Sequence, residues 1–227
     1  MSILTDLLFN NQDVKYREFS KKLIPDTKYP IIGVRAPIIK NIAKSNVSRD
    51  EIFYEFINDK HLYYEEYLLH GLALGYKKLD FDETLSHLVS FLPYIDNWAI
   101  CDSTVSGLKI FKKNLPKVFE KVKVWIKSDN PYTVRFAIVT LLNYFLGENF
   151  SEEVLNLAFS ACCEHYYINM AIAWLISVAL VKNYPNTVKL IESKTLPKFV
   201  QNKSIQKAVE SFRISTDVKE YLKTFKV

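Results

Sequence analysis

Glycine is scarce in this chain: five among 227 residues, about 2% against a usual share of roughly 7%. β-rich folds and phosphate-cradling loops lean on glycine, whereas helix interiors avoid it. The shortage therefore points to helices joined by short polar turns. The sequence also lacks a G-x-G-x-x-G fingerprint, a P-loop and a G-x-S-x-G elbow, which argues against a nucleotide cofactor and against an α/β-hydrolase nucleophile. The histidines, His61, His70, His87 and His165, show no H-E-x-x-H or paired-ligand spacing, so no metal site is expected. Cys101, Cys162 and Cys163 form no CxxC pair, and the adjacent Cys162 and Cys163 cannot easily bond to each other. They read as buried thiols in a reducing compartment. Cys101 is not read as a nucleophile, because no histidine stands near it in sequence. The opening MSILTDLLFNNQD has no basic start and no long apolar core, so no signal peptide is expected. The longest apolar-looking run, Met170 to Val181, is too short to span a bilayer. The expectation is a soluble, cytoplasmic protein with no cofactor and no membrane contact.

What is present is core material. Hydrophobic residues make up 49% and charged residues 24%, enough to bury a sizeable interior and remain dissolved. The length suits one large domain or two tightly merged ones, and a single domain over residues 1–227 is expected. The net charge is +5 and the isoelectric point about 8.9, but the excess is local. Residues 182–227 hold 10 Lys and Arg against 4 Asp and Glu, whereas residues 1–181 hold 20 against 21. A basic end on a neutral body suggests an anionic partner, nucleic acid first. On charge alone, a solvated lysine-rich surface explains the asymmetry equally well.

Apolar residues recur with helical spacing almost throughout. About twelve to fourteen helices are expected, near 2–9, 13–23, 36–45, 49–58, 63–78, 81–93, 97–111, 114–127, 131–146, 151–163, 166–182, 185–193, 200–211 and 216–225. Ser48 and Ser151 stand where N-caps belong, and Pro37, Pro131 and Pro185 where a first helical turn begins. Two helices repeat: RFAIVTLLNYFL (135–146) aligns with NMAIAWLISVAL (169–180) at an offset of 34, matching Ala137 with Ala171, Ile138 with Ile172 and Leu141 with Leu175. EYLLHGLALGYKK (66–78) is a weaker copy. A period in the thirties with two helices per unit is the mark of HEAT- or armadillo-type arrays. The plainer alternative is a helical bundle whose core helices look alike.

Few residues offer chemistry. Trp98 and Asp102 in IDNWAICD are four apart, so on a helix they share a face. An aromatic beside a carboxylate can bind a cation or stabilise a developing positive charge, although a core Trp next to a cap or salt-bridge Asp looks the same. Arg135 opens an apolar helix, where its charge opposes the helix dipole and asks for a carboxylate or a phosphate. Trp174 lies within MAIAWLISVAL and reads first as core, though a buried indole N–H needs a partner. In YPIIGVRAPIIKNIAK (29–44), Gly33 permits a tight turn that delivers a helix N-terminus to an anion, or simply leads a loop into a helix.

Taken in order, these segments resemble the DNA alkylation repair enzymes of the AlkD type. YPIIGVRAPIIKNIAK resembles that family's N-terminal motif, IDNWAICD its W-x-x-x-D element, and SDNPYTVRFAIVTLLNYF the helix of its functional Arg. YYINMAIAWLISVAL resembles the helix of its second functional Trp, and FVQNKSIQKAVESFRIS its C-terminal basic helix. The resemblance covers nearly the whole chain. It implies an all-α fold: a HEAT-like helical-repeat superhelix, an α-α solenoid with a concave face that holds duplex DNA. It implies a monomeric, monofunctional DNA glycosylase that releases N3- and N7-alkylated purines from double-stranded DNA without flipping the base. On that basis Asp102 would stabilise the oxocarbenium-like sugar and position water. Trp98 and Trp174 would pack against the lesion's sugar and backbone, and Arg135 would hold a phosphate. Arg35 and Lys40, with Lys203, Lys207 and Arg213, would contact DNA. This chain has Asn97 where the family's best-known pattern has a further Trp. Some related subfamilies show little or no excision, so the alternative is a non-catalytic helical-repeat module that binds unusual or branched DNA, or protein.

Overall fold

The computed structural model describes residues 3–57 and 60–227. Among them are fourteen α-helices and no strand, so the all-α expectation holds. The chain forms two compact units, Met1–Asn114 and Leu115–Val227. The first contains α1 (Ile3–Phe9), α2 (Val14–Leu23), α3 (Ala36–Asn46), α4 (Asp50–Phe56), α5 (Tyr64–Tyr76), α6 (Phe81–Phe91) and α7 (Trp98–Gly107). The second contains α8 (Leu115–Trp125), α9 (Pro131–Tyr144), α10 (Glu152–Ser160), α11 (Tyr166–Lys182), α12 (Tyr184–Glu192), α13 (Lys198–Glu210) and α14 (Thr216–Lys223).

Several expected helices end a few residues early, two of them at a 3-10 turn. The segment expected over 81–93 gives way to a 3-10 turn at Leu92–Tyr94, because Pro93 has no N–H to continue the ladder. The one expected over 97–111 stops at Gly107, and Lys109–Lys113 forms a separate 3-10 turn. The outer ends of the segments expected over 2–9 and 49–58 lie outside the described residues. The serine caps need correction. Arg49, not Ser48, occupies the cap position of α4, and Ser151 stands at the cap of α10 without accepting a hydrogen bond. Side chains of Asp13, Asp80, Asn97 and Asn130 instead accept from the first turns of α2, α6, α7 and α9. Pro37, Pro131 and Pro185 do sit in first turns.

Each unit has two layers. In the first, α3, α5 and α7 pack side by side, with α4 and α6 against α5. In the second, α9, α11 and α13 form the equivalent row, backed by α8, α10 and α12, and α14 packs on α13. The 34-residue offset marks equivalent core positions: Ala137, Ile138, Leu141, Ala171, Ile172 and Leu175 are all fully buried. In the first unit, α5 and α7 approach almost to backbone contact. A Cβ on Gly71 would stand 1.9 Å from Thr104 Oγ1, and one on Gly75 would stand 2.6 Å from the Gly107 carbonyl. Glycine is what allows the helix that carries Trp98 and Asp102 to lie this close to α5.

On four of the row helices a buried polar side chain near the helix start ties down a neighbouring loop or helix end. Glu65 and Glu66 do this on α5, Arg135 on α9, Asn169 on α11 and Gln201 on α13. Buried polar groups need such partners, and here the partners are mostly backbone groups that no helix ladder satisfies.

Candidate functional site

Trp98 is the first residue of α7 and Asp102 lies one turn on, so both face the same way. The helix start is firmly set. Asn97 is 2% exposed, and its Oδ1 accepts from the amides of Ala99 and Ile100 at 3.0 and 3.1 Å. Its amide group also donates to Asp96 at 2.7 Å. Asp96 in turn accepts from the Thr27 hydroxyl and the Lys28 amide, fastening the chain after α2 to the start of α7. Asn97, the departure from the resembled pattern, therefore serves as a helix cap.

Trp98 is half-buried, and its indole N–H donates to the Leu23 carbonyl at 3.0 Å. That carbonyl belongs to the last turn of α2, where helix carbonyls lack partners of their own. Trp98 and Asp102 line one pocket of about 180 Å³, together with Tyr16, Leu23 and Tyr64. A carboxylate lining a largely apolar pocket with three aromatic rings is suited to a cation, since the low-dielectric walls strengthen its field. Burial pushes the Tyr64 hydroxyl well above its ordinary range, so it is a neutral wall at physiological pH.

For the loop before α3 the sequence leaves open an anion at the next helix's N-terminus or a plain connection, and the chain supplies an anion of its own to the loop amides. Gly33 adopts a left-handed φ of +99°, and the amides of Ile32, Gly33 and Val34 all donate to the Glu65 carboxylate at 2.7–3.1 Å. Glu65 is 1% exposed. Burial pushes its carboxyl above the ordinary range, and the three amides pull it part of the way back. The turn is thus a structural clamp beside the pocket. Sequence reasoning missed Glu65; its one signal was a carboxylate pair opening an otherwise apolar helix. At the edge of this loop, exposed Arg35 pairs with Asp13 at 2.8 Å and lies over the Tyr16 ring. Asp13 carries its carboxyl below the ordinary value, first through the Tyr16 amide and then through Arg35. Lys40 is exposed on α3.

In the second unit, Arg135 is 6% exposed and donates through Nη1 to the Tyr167 carbonyl at 2.8 Å. It tethers α9 to the first turn of α11. Trp174, on α11, is not enclosed in the core. It is half-buried and lines a pocket of about 280 Å³ with Ser177, Lys207, Ser211 and Arg213. Lys203 lies one turn before Lys207 on α13, so the two share a face, and Arg213 follows in the turn after that helix. The structure therefore brings Trp98 and Asp102 together in one unit, and Trp174, Lys207 and Arg213 together in the other.

Among the described residues, no group of three or more His, Cys, Asp or Glu is arranged to hold a metal ion. No helix among them is long and apolar enough to cross a membrane. Comparison with curated proteins gives no match. The sequence model described as DNA alkylation repair enzyme matches residues 4–208. The matched stretch contains Trp98, Asp102, Arg135 and Trp174 and stops short of Arg213. With most of its length matched, the chain belongs to the DNA alkylation repair enzyme family.

Proposed function

We propose that the protein is a monofunctional DNA glycosylase that excises N3- and N7-alkylated purines from duplex DNA without flipping the base, and that it acts as a monomer in the cytoplasm. One observation carries this reading: in a chain of this family, Asp102 and Trp98 share one face of α7 and open into the same pocket. An alkylated purine is already cationic and a good leaving group. When its glycosidic bond breaks, the bonding pair goes to the purine nitrogen and positive charge builds on the sugar. Water then adds to the sugar's C1′ and loses a proton, leaving an abasic site. Asp102 is assigned the stabilisation of that charge and the positioning of water. A carboxylate about 4 Å from a unit charge contributes on the order of 4 kcal/mol of attraction at a near-surface dielectric. The part realised only in the transition state accelerates the reaction by roughly 10²–10³-fold.

Trp98 and Trp174 are assigned packing against sugar and backbone, a role in keeping with the partial exposure of both rings. Lys203, Lys207 and Arg213, with Arg35 and Lys40, are assigned phosphate contacts. Arg135 has little surface, so its part is to raise the positive potential near a phosphate from beneath. Both units are proposed to contact the duplex.

The test is release of 7-methylguanine and 3-methyladenine from alkylated duplex DNA by the wild type and by Asp102→Asn. Release by the wild type alone, with DNA binding retained by the variant, supports the assignment. A folded wild type that releases neither base defeats it and favours a non-catalytic module that binds DNA or protein. The charge distribution favours that second reading to a degree: residues 1–114 carry 15 Lys and Arg against 15 Asp and Glu.

A further inference from the structure

Phe212 is 103% exposed, whereas no other large hydrophobic side chain among the described residues exceeds 66%. A single exposed apolar side chain ordinarily needs no explanation, but the setting of this one is specific. It sits at the tip of the short turn between α13 and α14, and both sides of the tip are anchored. On one side, the Ser211 amide donates to the carbonyl of fully buried Ala208. On the other, Ile214 is 8% exposed. Within the tip, the Arg213 amide donates to the Ser211 hydroxyl at 3.2 Å. The ring is therefore held out by an ordered turn. Its two sequence neighbours, Ser211 and Arg213, line the Trp174 pocket together with Lys207 and Glu210, so two cations face one carboxylate there. The surrounding segment is the basic one, with 10 Lys and Arg against 4 Asp and Glu over residues 182–227. The tip also lies beyond residue 208, where the family match ends.

We propose that Phe212 is a wedge that enters the base stack of bound duplex DNA beside the Trp174 pocket. The inference rests on the DNA-binding reading above and deepens it. An apolar ring with Arg213 next to it and Lys207 on the preceding helix matches a polyanion whose interior is a stack of flat apolar faces. The cations hold the backbone in register, and the ring partly unstacks one step. Unstacking costs least where pairing is already weak, at a mismatched or damaged base. The wedge would therefore favour such sites without reading sequence.

The experiment uses the full chain and a short duplex carrying 2-aminopurine beside a mismatched pair. On binding, the wild type should raise the 2-aminopurine fluorescence severalfold, as expected for an unstacked base. Phe212→Ala removes no charge and no buried contact. It should keep its thermal midpoint and its salt dependence of binding, lose the fluorescence rise, and bind about tenfold more weakly. Phe212→Trp should restore both signals. If the wild type binds but Phe212→Ala gives the same fluorescence and affinity, the wedge is overturned and the DNA-binding reading stands. If the wild type fails to bind the duplex even at low salt, both are overturned, and that control separates the two failures.

Discussion

The indole N–H of Trp98 donates to the carbonyl of Leu23 at 3.0 Å, joining residues 75 positions apart in sequence. The bond satisfies a carbonyl that α2 leaves open and holds the ring that lines the pocket. Two roles of Trp98 are thereby separable. Trp98→Phe keeps an aromatic face but removes the donor. It should lower stability by about 0.5–1.5 kcal/mol, read as a shift of the urea midpoint. Excision should fall further than stability accounts for, because the freed ring no longer holds its angle beside Asp102. Activity equal to the wild type would mean that ring orientation is irrelevant.

Positive charge in the second unit should govern affinity. Each phosphate contact releases counterions, so the logarithm of the binding constant should fall linearly with the logarithm of salt concentration. Lys203→Ala and Lys207→Ala should each reduce that slope by about one while weakening all duplexes alike. Arg35→Ala should change it less, because Asp13 already pairs with that guanidinium at 2.8 Å. A salt-independent binding constant would exclude phosphate recognition as the source of affinity.

The likeness of α9 and α11 was legible in the sequence because core positions repeat: the Ala, Ile and Leu matched at an offset of 34 all lie fully buried. Trp98 and Asp102 were legible as a pair because four-residue spacing on a helix dictates a shared face. The clamp on the loop before α3 was not. Gly33 and its neighbouring amides signal an anion, but nothing local identifies it as Glu65, more than thirty residues downstream. Arg135 shows the same limit. Its position at a helix start asked for an acceptor, and one acceptor the fold supplies is the Tyr167 carbonyl on the next row helix. Local patterns specify the need for a partner, and tertiary packing chooses it. Ser151 illustrates the converse: a residue with the right chemistry at the right position forms no cap bond.

Glu65 should give the protein a distinctive pH dependence. Burial raises its carboxyl above the ordinary value of 4.5, so in the pH window that opens at that value and closes at the raised one the folded state binds its proton more tightly than the unfolded chain. Stability contributed by this group is then greatest at acid pH, declines as pH rises through the window, and is flat above it. Glu65→Gln removes the titration. It also turns an amide donor toward the three backbone N–H groups, and leaving even one of them unsatisfied costs about 1–3 kcal/mol. The variant should be the less stable protein at every pH, with the gap narrowing as pH rises. Urea unfolding at successive pH values measures it, and a gap that widens with pH would reverse the sign argued here.

The close approach of α5 and α7 should be intolerant of added atoms in two distinguishable ways. At Gly71 the obstacle to a new methyl group is the side chain of Thr104, whose Oγ1 would be 1.9 Å away. At Gly75 it is backbone, with the Gly107 carbonyl at 2.6 Å. Overpacking of this kind typically costs about 1–3 kcal/mol. Gly71→Ala should therefore be destabilising alone and partly rescued by Thr104→Ala, giving a favourable coupling in a double-mutant cycle. Gly75→Ala has no side chain to trim and should not be rescued by Thr104→Ala. Relieving its clash requires α7 to move away from α5, and α7 carries both Trp98 and Asp102. Excision by Gly75→Ala should thus fall even at temperatures where the variant remains fully folded, while the rescued double variant regains both stability and activity. Equal rescue of the two glycine variants would show that the interface adjusts by backbone shifts and that the pocket does not depend on this contact.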